Sequence, residues 1–227
     1  MSPTTAGGAA TFDAETARAW AEGVADTVQA QRDHLTALDA AIGDGDHGMN
    51  LDRGMAAVRG RLDEAAPETP GAVLAVVGRT LISTVGGASG PLYGTLFRAA
   101  AKALGDDDAV TGERLTAALR AGVDGVRRLG KAEPDDKTML DALLPALDAM
   151  DAAVADGMAL AQVATRGAEA AAEGQRKTVP MEARKGRASY LGPRSVGHED
   201  PGAASASMVM AALASALGGE VAERHGS

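Results

Sequence analysis

The sequence predicts an all-α protein, and two features of its composition favour that class. Hydrophobic residues make up 45% of the 227 residues, but aromatic residues make up only 2%. The core must therefore consist of Ala, Leu, Val and Met, which suit packed helices better than sheets, where β-branched and aromatic residues are favoured. The length suits one domain. We expect that domain at residues 11–218, between flexible termini at 1–10 and 219–227.

Apolar residues recur at helical spacing along most of the chain and predict about eight amphipathic helices. A first helix, capped by Thr11 or Asp13, has Trp20, Val24 and Val28 at i, i+4 and i+8 on its apolar face, and a second apolar pair follows at Leu35 and Leu38. Thr111 is the predicted cap of a later helix. The other helices are expected at residues 50–62, 71–84, after the turn at 86 to about 104, 111–129, 140–150, 160–178 and 203–217.

Charge and residue usage argue against several classes of protein. The formal net charge is −9, whereas nucleic-acid-binding proteins usually carry a basic surface, so DNA and RNA are not expected partners. The chain contains no Cys, which excludes disulfides and thiolate metal sites and fits a cytoplasmic location. No run reaches the roughly 18 apolar residues of a membrane span, and the first residues lack the pattern of a signal peptide. We therefore expect a cytoplasmic protein that does not associate with membranes.

One acidic, glycine-rich loop is the main candidate for a functional site. The stretch from Leu38 to Gly54 reads LDAAIGDGDHGMNLDRG and contains Asp39, Asp44 and Asp46. Its glycines allow a tight backbone on which the three carboxylates can converge. Carboxylates without Cys favour a hard cation such as Mg²⁺ or Ca²⁺, and Mg²⁺ commonly carries substrate phosphates.

Two known types of loop do not fit this segment, and a third interpretation stays open. An EF-hand starting at Asp44 would need a Glu at its twelfth position, where the chain has Met55. A dinucleotide-binding G-x-G-x-x-G turn would need a preceding strand, but the residues before Gly43 are helical in character. A third alternative, in which the Asp residues only cap helices and form a solvated turn, stays open on local grounds.

Three further segments carry residues suited to phosphate chemistry. GGASGPLYGTLF, from Gly86, offers a helix N-terminus to a phosphate, unless its glycines only allow close helix contact and Ser89 merely caps the helix. GKAEPDDKTM, from Gly130, contains Lys137, which either meets a phosphate or is a solvated charge at a helix start. RKGRASYLGPRSVGHEDPGAAS, from Arg184, is a long basic loop, and loops of this length in compact domains are usually functional.

Taken together, these segments resemble the L subunit of dihydroxyacetone kinase, the nucleotide-binding half of that two-part enzyme. The matching stretches, in the order of the family, are LDAAIGDGDHGMNLDRG, GGASGPLYGTLF, GKAEPDDKTMLDAL and ARKGRASYLGPRSVGHEDPGA. The resemblance extends from about residue 12 to 217. One departure is that the family usually has Pro-Gly-Asp-Lys-Thr where this chain has Asp135 in place of the Gly. Because Asp tolerates left-handed backbone, we expect the turn to survive.

The resemblance implies an antiparallel barrel of eight amphipathic helices that binds ADP or ATP at one rim through two Mg²⁺ ions. The positions that match the metal ligands of the family are Asp39, Asp44 and Asp46. The positions that match its nucleotide contacts are His47, Gly48, Met49, Asn50, Ala88, Ser89, Gly130, Met139, Arg187, Asp200, Pro201 and Gly202. No residue is assigned as catalytic. His47 and His198 are candidates for a proton or phosphoryl role, with the alternative that they only orient the loops around the metal.

The resemblance also implies a function. The chain would be a kinase subunit that transfers a phosphoryl group to dihydroxyacetone bound on a separate K subunit, with a phosphotransferase-system protein as the favoured donor. ATP as the donor, a related keto-sugar such as erythrulose as the acceptor, and a nucleotide-loaded regulatory binding module are the alternatives. The sequence leaves open whether the chain forms a homodimer.

Overall fold

The computed structural model describes residues 11–219, and the all-α prediction is confirmed. Of the predicted flexible ends, 1–10 and 219–227, all but Gly219 lie outside the described residues. Within those described, nine α-helices are accompanied by one 3-10 helix and a two-stranded ribbon. The helices are α1 (Ala14–Ala30), α2 (Arg32–Ile42), α3 (His47–Ala65), α4 (Pro70–Thr84), α5 (Ser89–Leu104), α6 (Gly112–Gly130), α7 (Leu140–Ala155), α8 (Leu160–Lys177) and α9 (Pro201–Ala216), and the 3-10 helix is Arg187–Ser195.

Short polar side chains start several helices, as the sequence predicted. Asp13, rather than Thr11, caps α1, because its Oδ1 accepts the Thr16 N–H at 2.8 Å. Thr111 caps α6 by accepting the Arg114 N–H. The ribbon, which the sequence did not predict, pairs β1 (Phe12–Asp13) with β2 (Ala109–Val110) in antiparallel register and fixes the chain at the starts of α1 and α6.

Eight of the helices form a closed ring, which agrees with the barrel implied by the resemblance. Each packs on the next in the order α1, α3, α4, α5, α6, α7, α8 and α9, and α9 packs back on α1, while α2 lies against α3 and α9. The Trp20 indole N–H of α1 donates to the carbonyl of Val209 on α9 at 2.8 Å. None of the helices in residues 11–219 combines the length and apolarity needed to cross a bilayer.

Two boundaries differ from the sequence-based expectation in ways that shape the site. Helix α3 begins at His47 instead of Asn50, and α9 begins at Pro201 instead of Ala203. Asp200 to Gly202, which the expected start at Ala203 leaves outside the helix, therefore form a helix start. Asp200 is the N-cap and Pro201 occupies the first helical position, where its fixed φ and missing N–H are favourable.

Candidate functional site

A cavity of about 380 Å³ opens where several helix ends meet, a size typical of small-molecule sites. The C-terminal ends of α2 and α6 and the N-terminal ends of α3, α5, α7 and α9 surround it, together with the loop before α9. Twelve of the fifteen predicted site residues line this cavity. They are Asp39, Asp44, Asp46, His47, Ala88, Ser89, Gly130, Met139, Arg187, Asp200, Pro201 and Gly202.

The other three predicted contacts, on the first turns of α3, are not among the residues that line the cavity. Gly48 faces α2, where an added Cβ would come within 2.1 Å of the Arg32 carbonyl oxygen. Met49 is 52% exposed. The Asn50 side chain accepts a hydrogen bond from the Arg53 guanidinium at 2.7 Å. Gly48 thus has a visible packing role, and nucleotide contact by these three residues stays a prediction.

The three predicted metal ligands converge. One oxygen from each of Asp39, Asp44 and Asp46 lies within 4.8 Å of the other two. Oδ2 of Asp39 accepts the backbone N–H groups of Asp46 at 2.9 Å and His47 at 3.2 Å, which fixes the carboxylate across the loop. An added Cβ on Gly43 would fall 2.0 Å from Asp39 Oδ1, so this carboxylate needs a glycine there.

Such a cluster favours a cation. Two unit charges 4 Å apart repel by about 1 kcal/mol in water and by about 4 kcal/mol at the effective dielectric of a protein surface. The Arg187 guanidinium offsets part of this repulsion, because its Nε lies 2.9 Å from Asp44 Oδ2. Oxygen ligands without sulfur match the preference of Mg²⁺, so the donor set fits the ion that the resemblance implies.

His47 is held between two hydroxyl groups. Its Nδ1 lies 2.9 Å from Ser89 Oγ and its Nε2 lies 2.9 Å from Ser205 Oγ, which also bonds the Tyr93 hydroxyl at 2.6 Å. Burial lowers the pKa of His47, opposed by the nearby Asp39 and Asp46 carboxylates. The His47 imidazole thereby connects α3 to α5 and α9 next to the Asp cluster. His198 is exposed and does not line the cavity, so the structure separates the two histidine candidates.

The start of α5 lies at the cavity. Gly87, Ala88 and Ser89 line it together with the acidic loop, so the positive end of this helix and the Asp residues share one site. No side chain caps α5, and the Ser89 hydroxyl bonds His47, so the alternative that Ser89 caps the helix is wrong.

The turn before α7 contains the departure from the family pattern. Asp135 has a φ of +67° and Lys137 a φ of +62°, so Asp135 does occupy the left-handed conformation expected of the replaced Gly. The Asp141 carboxylate accepts the N–H groups of Asp135 at 2.6 Å and Thr138 at 2.7 Å, which holds the turn. Burial raises the pKa of Asp141.

Lys137 was predicted either to meet a phosphate or to be solvated, and the solvated alternative is wrong. Only 1% of the residue is exposed, and its Nζ donates to the carbonyls of Met181 at 3.0 Å and Ser195 at 2.6 Å. Burial lowers the pKa of Lys137, while the charge of Asp200 opposes the shift.

Asp200 is buried beside the cavity with its carboxylate on the first turn of α9. Its Oδ2 accepts the Ala203 N–H at 2.7 Å. Burial raises the pKa of Asp200 to about 7; the Asp141 and Asp39 charges add to the rise, while the Ala203 hydrogen bond and Lys137 oppose it.

Sequence reasoning missed one wall of the cavity. That wall is apolar and comes mainly from helix residues that periodicity alone would assign to the core. Its members are Ile42, Leu92, Tyr93, Val126, Leu129 and Leu140. Leu129, for example, continues the apolar stripe of α6 but is 50% exposed at the open end of that helix. Only the helix end itself, marked by Gly130, could have indicated a contact site.

The fold and the site define a class: an all-helical protein with a carboxylate cluster facing helix N-termini, an arrangement suited to a metal and an anionic ligand. The family model for the DAK2 domain matches residues 41–215, and the chain belongs to that family.

Relatives of this chain cover most of its length. It is 42% identical over 195 residues to the PEP-dependent dihydroxyacetone kinase, ADP-binding subunit DhaL, of Escherichia coli strain K12, covering 86% of this chain and 93% of that protein. It is 39% identical over 204 residues to a corresponding subunit of Listeria innocua, covering 89% and 96%. The structure of the dihydroxyacetone kinase from C. freundii in complex with AMP-PNP and Mg²⁺ superposes with a TM-score of 0.69 at 27% identity, covering 95% of this chain and 36% of that one.

Proposed function

We propose that this chain is the ADP-binding subunit of a dihydroxyacetone kinase and that it acts on dihydroxyacetone held by a separate K-type subunit. The observation that carries the proposal is the convergence of Asp39, Asp44 and Asp46 opposite the N-terminus of α5. Relatives of nearly the same length are named ADP-binding subunits, which supports a nucleotide as the ligand. Residues 11–218 would act as one nucleotide-binding domain.

Asp39, Asp44 and Asp46 would hold two Mg²⁺ ions. Bound there, Mg²⁺ would neutralise phosphate charge and align the transferred group. The protein contributes a fixed geometry, because Asp39 is already bonded to the backbone of α3 and His47 connects α3 to α5 and α9. The complex of a structural relative with AMP-PNP and Mg²⁺ supports this assignment.

The nucleotide itself would lie along the cavity. Phosphates would meet the backbone at Ala88 and Ser89 and the cation Arg187, all of which line the site. The base would lie between Met139, Gly130 and the apolar wall near Leu129. Phosphoryl transfer needs positioning and charge neutralisation more than an acid or base, so no catalytic residue of this chain is required.

The acceptor and the donor would both come from outside the chain. The description PEP-dependent in the names of the relatives supports a phosphotransferase-system protein that regenerates the nucleotide, in preference to exchange with free ATP. Under this proposal, the nucleotide stays on the chain while the phosphoryl group passes through it to dihydroxyacetone.

Replacing the metal ligands tests the assignment. Asp44→Asn and Asp46→Asn should each weaken binding of ADP in magnesium buffer at least tenfold, because each removes a charge that the cation needs. Isothermal titration calorimetry measures the effect. The control is Asp106→Asn, which changes an exposed acidic residue outside the cavity. Wild-type affinity in both site variants would refute the metal assignment.

Reconstitution tests the reaction. The chain, a K subunit and dihydroxyacetone are combined either with ATP or with phosphoenolpyruvate and the phosphotransferase proteins. We expect dihydroxyacetone phosphate only when this chain is present, and at a higher rate with the phosphoenolpyruvate system. Product in the ATP arm alone would reverse the donor assignment, and no product in either arm would refute the function.

A further inference from the structure

The loop before α9, defined here as the basic loop (residues 181–195), brings positive charge to the mouth of the cavity. Lys185 and Arg187 both line the cavity, and Arg187 reaches Asp44. Lys185 precedes the 3-10 helix Arg187–Ser195, and Arg187 is its first residue, so both lie between the two ends of the loop. Their placement therefore depends on what holds the two ends of the basic loop together.

The ends of the basic loop meet at one buried cation. The Lys137 ammonium donates to the carbonyl of Met181, at the entry of the loop, and to that of Ser195, at its exit. Two neighbouring hydrogen bonds join the same segments. The Ser195 hydroxyl accepts the Ala183 N–H at 2.8 Å, and the Arg184 N–H donates to the Asp136 carbonyl at 3.0 Å. The turn before α7 is thus joined to both ends of the loop.

Burying a lysine at this position is unfavourable in free energy. An unpaired ammonium out of water costs several kcal/mol, so an apolar side chain would pack there more favourably unless the charge has a task. At Lys137 the ammonium meets neutral carbonyl oxygens rather than forming a close ion pair, since its hydrogen-bond partners are two backbone groups. Its two hydrogen bonds, which reach residues 44 and 58 positions away, order the loop.

We propose that Lys137 is a positioning residue that closes the basic loop and so holds Lys185 and Arg187 at the phosphate side of the cavity. This inference rests on the proposed function for its effect on nucleotide, but the closure of the loop can be tested without a nucleotide. Lys137 also lines the cavity, but its ammonium is bonded to the two loop carbonyls, so it is assigned an action through the loop and no contact with the substrate.

The test compares Lys137→Met with Lys131→Met. Methionine is unbranched like lysine and adopts the same backbone conformations. It lacks the ammonium and has a sulfur in place of the δ carbon. Lys131 lies in the same turn, also at positive φ, but is exposed and does not line the cavity. Circular dichroism first establishes that both variants fold.

Trypsin cleavage is the first measurement, because the basic loop contains Arg184, Lys185, Arg187 and Arg194 as cleavage sites. With cut positions assigned by mass spectrometry, Lys137→Met should be cleaved inside the loop at least tenfold faster than the wild type, and Lys131→Met at the wild-type rate. Equal cleavage of Lys137→Met and the wild type would overturn the proposal, whether or not the protein binds nucleotide.

Affinity for ADP in magnesium buffer is the second measurement. Lys137→Met should bind about tenfold or more weakly, as is common when a residue that orients a ligand is removed. A double-mutant cycle with Arg187→Met should be less than additive, because the loop that carries Arg187 is already displaced. Additive effects would show that Lys137 does not act through Arg187. Absence of binding by the wild type would refute the proposed function and leave the cleavage result standing.

Chemical rescue provides a further control. The chain has no Cys, so Lys137→Cys would carry the sole thiol of the protein. Alkylation of the unfolded variant with 2-bromoethylamine, followed by refolding, restores an ammonium at this side chain, whereas alkylation with bromopropane adds a neutral chain of similar length. Only the aminoethylated protein should regain protection from trypsin. Equal recovery with both reagents would mean that packing, and not the ammonium, closes the loop.

Discussion

Asp200 shows at the scale of a single residue how burial at the cavity couples charge to folding. An unfolded Asp titrates near 3.8, and the folded environment raises the pKa of Asp200 to about 7. Between these values the folded state binds more protons than the unfolded state, so the free energy of unfolding should fall as pH rises from about 4 to about 7. The change from this one group is at most about 4 kcal/mol.

Asp200→Asn should remove that dependence, because the amide keeps an oxygen to accept the Ala203 N–H and cannot ionise. Urea unfolding of both proteins at pH 5 and pH 7.5, without nucleotide, measures how the free energy of unfolding changes with pH. We expect the wild type to lose more free energy of unfolding than Asp200→Asn between the two pH values. Parallel losses in both proteins would show that Asp200 does not titrate in this range.

Residue-scale prediction succeeded where the determining contacts are local in sequence. Asp39, Asp44 and Asp46 were predictable as a cluster because they lie within eight consecutive positions, where glycines permit the tight backbone that brings the carboxylates together. Lys137 was not predictable, because its partners are 44 and 58 residues away and no spacing rule connects them. The same reason hid the bond between Tyr93 and Ser205, which are 112 residues apart.

At the scale of elements, the closeness of α2 and α3 fixes the acidic loop between them. Gly48 permits this approach, since an added Cβ would lie 2.1 Å from the Arg32 carbonyl and 2.5 Å from Thr36 Oγ1. From the sequence, Gly48 was expected in a tightly folded loop, whereas the structure places it inside α3 as a packing residue. Periodicity predicts which face of a helix is buried, but it cannot give the distance between two helices.

Gly48→Ala should therefore lower the free energy of unfolding by about 1–3 kcal/mol, as added groups in packed interiors do. Gly60→Ala is a matched control on the same helix, because an added Cβ there meets nothing within 4 Å. That control should raise stability by about 0.5–1 kcal/mol through helix propensity. Urea unfolding followed by circular dichroism compares them, and equal midpoints for the two variants would contradict the packing role of Gly48.

At the scale of the whole molecule, the ring closes where the first helix meets the last. This seam, the contact between α1 and α9, depends on Trp20. Its indole packs against Phe12 and Phe97 at centroid distances of 6.1 and 5.3 Å, and its N–H donates to the Val209 carbonyl of α9. The sequence predicted the buried face of α1, but the partner helix is almost the length of the chain away. Because the site draws residues from α2, α3, α5, α6, α7 and α9, its geometry requires this closure.

Trp20→Phe should weaken the seam without removing its apolar contact. The Val209 carbonyl keeps its hydrogen bond within α9 but loses the indole N–H, and the smaller ring leaves a void, so we expect the free energy of unfolding to fall by about 1–3 kcal/mol. Chemical denaturation measured by circular dichroism gives the change. Tyr190→Phe, which removes a polar atom from a side chain that is 88% exposed, should leave the midpoint unchanged. A Trp20→Phe midpoint equal to that of the wild type would mean that the packing of α1 on α9 does not depend on the Trp20 side chain.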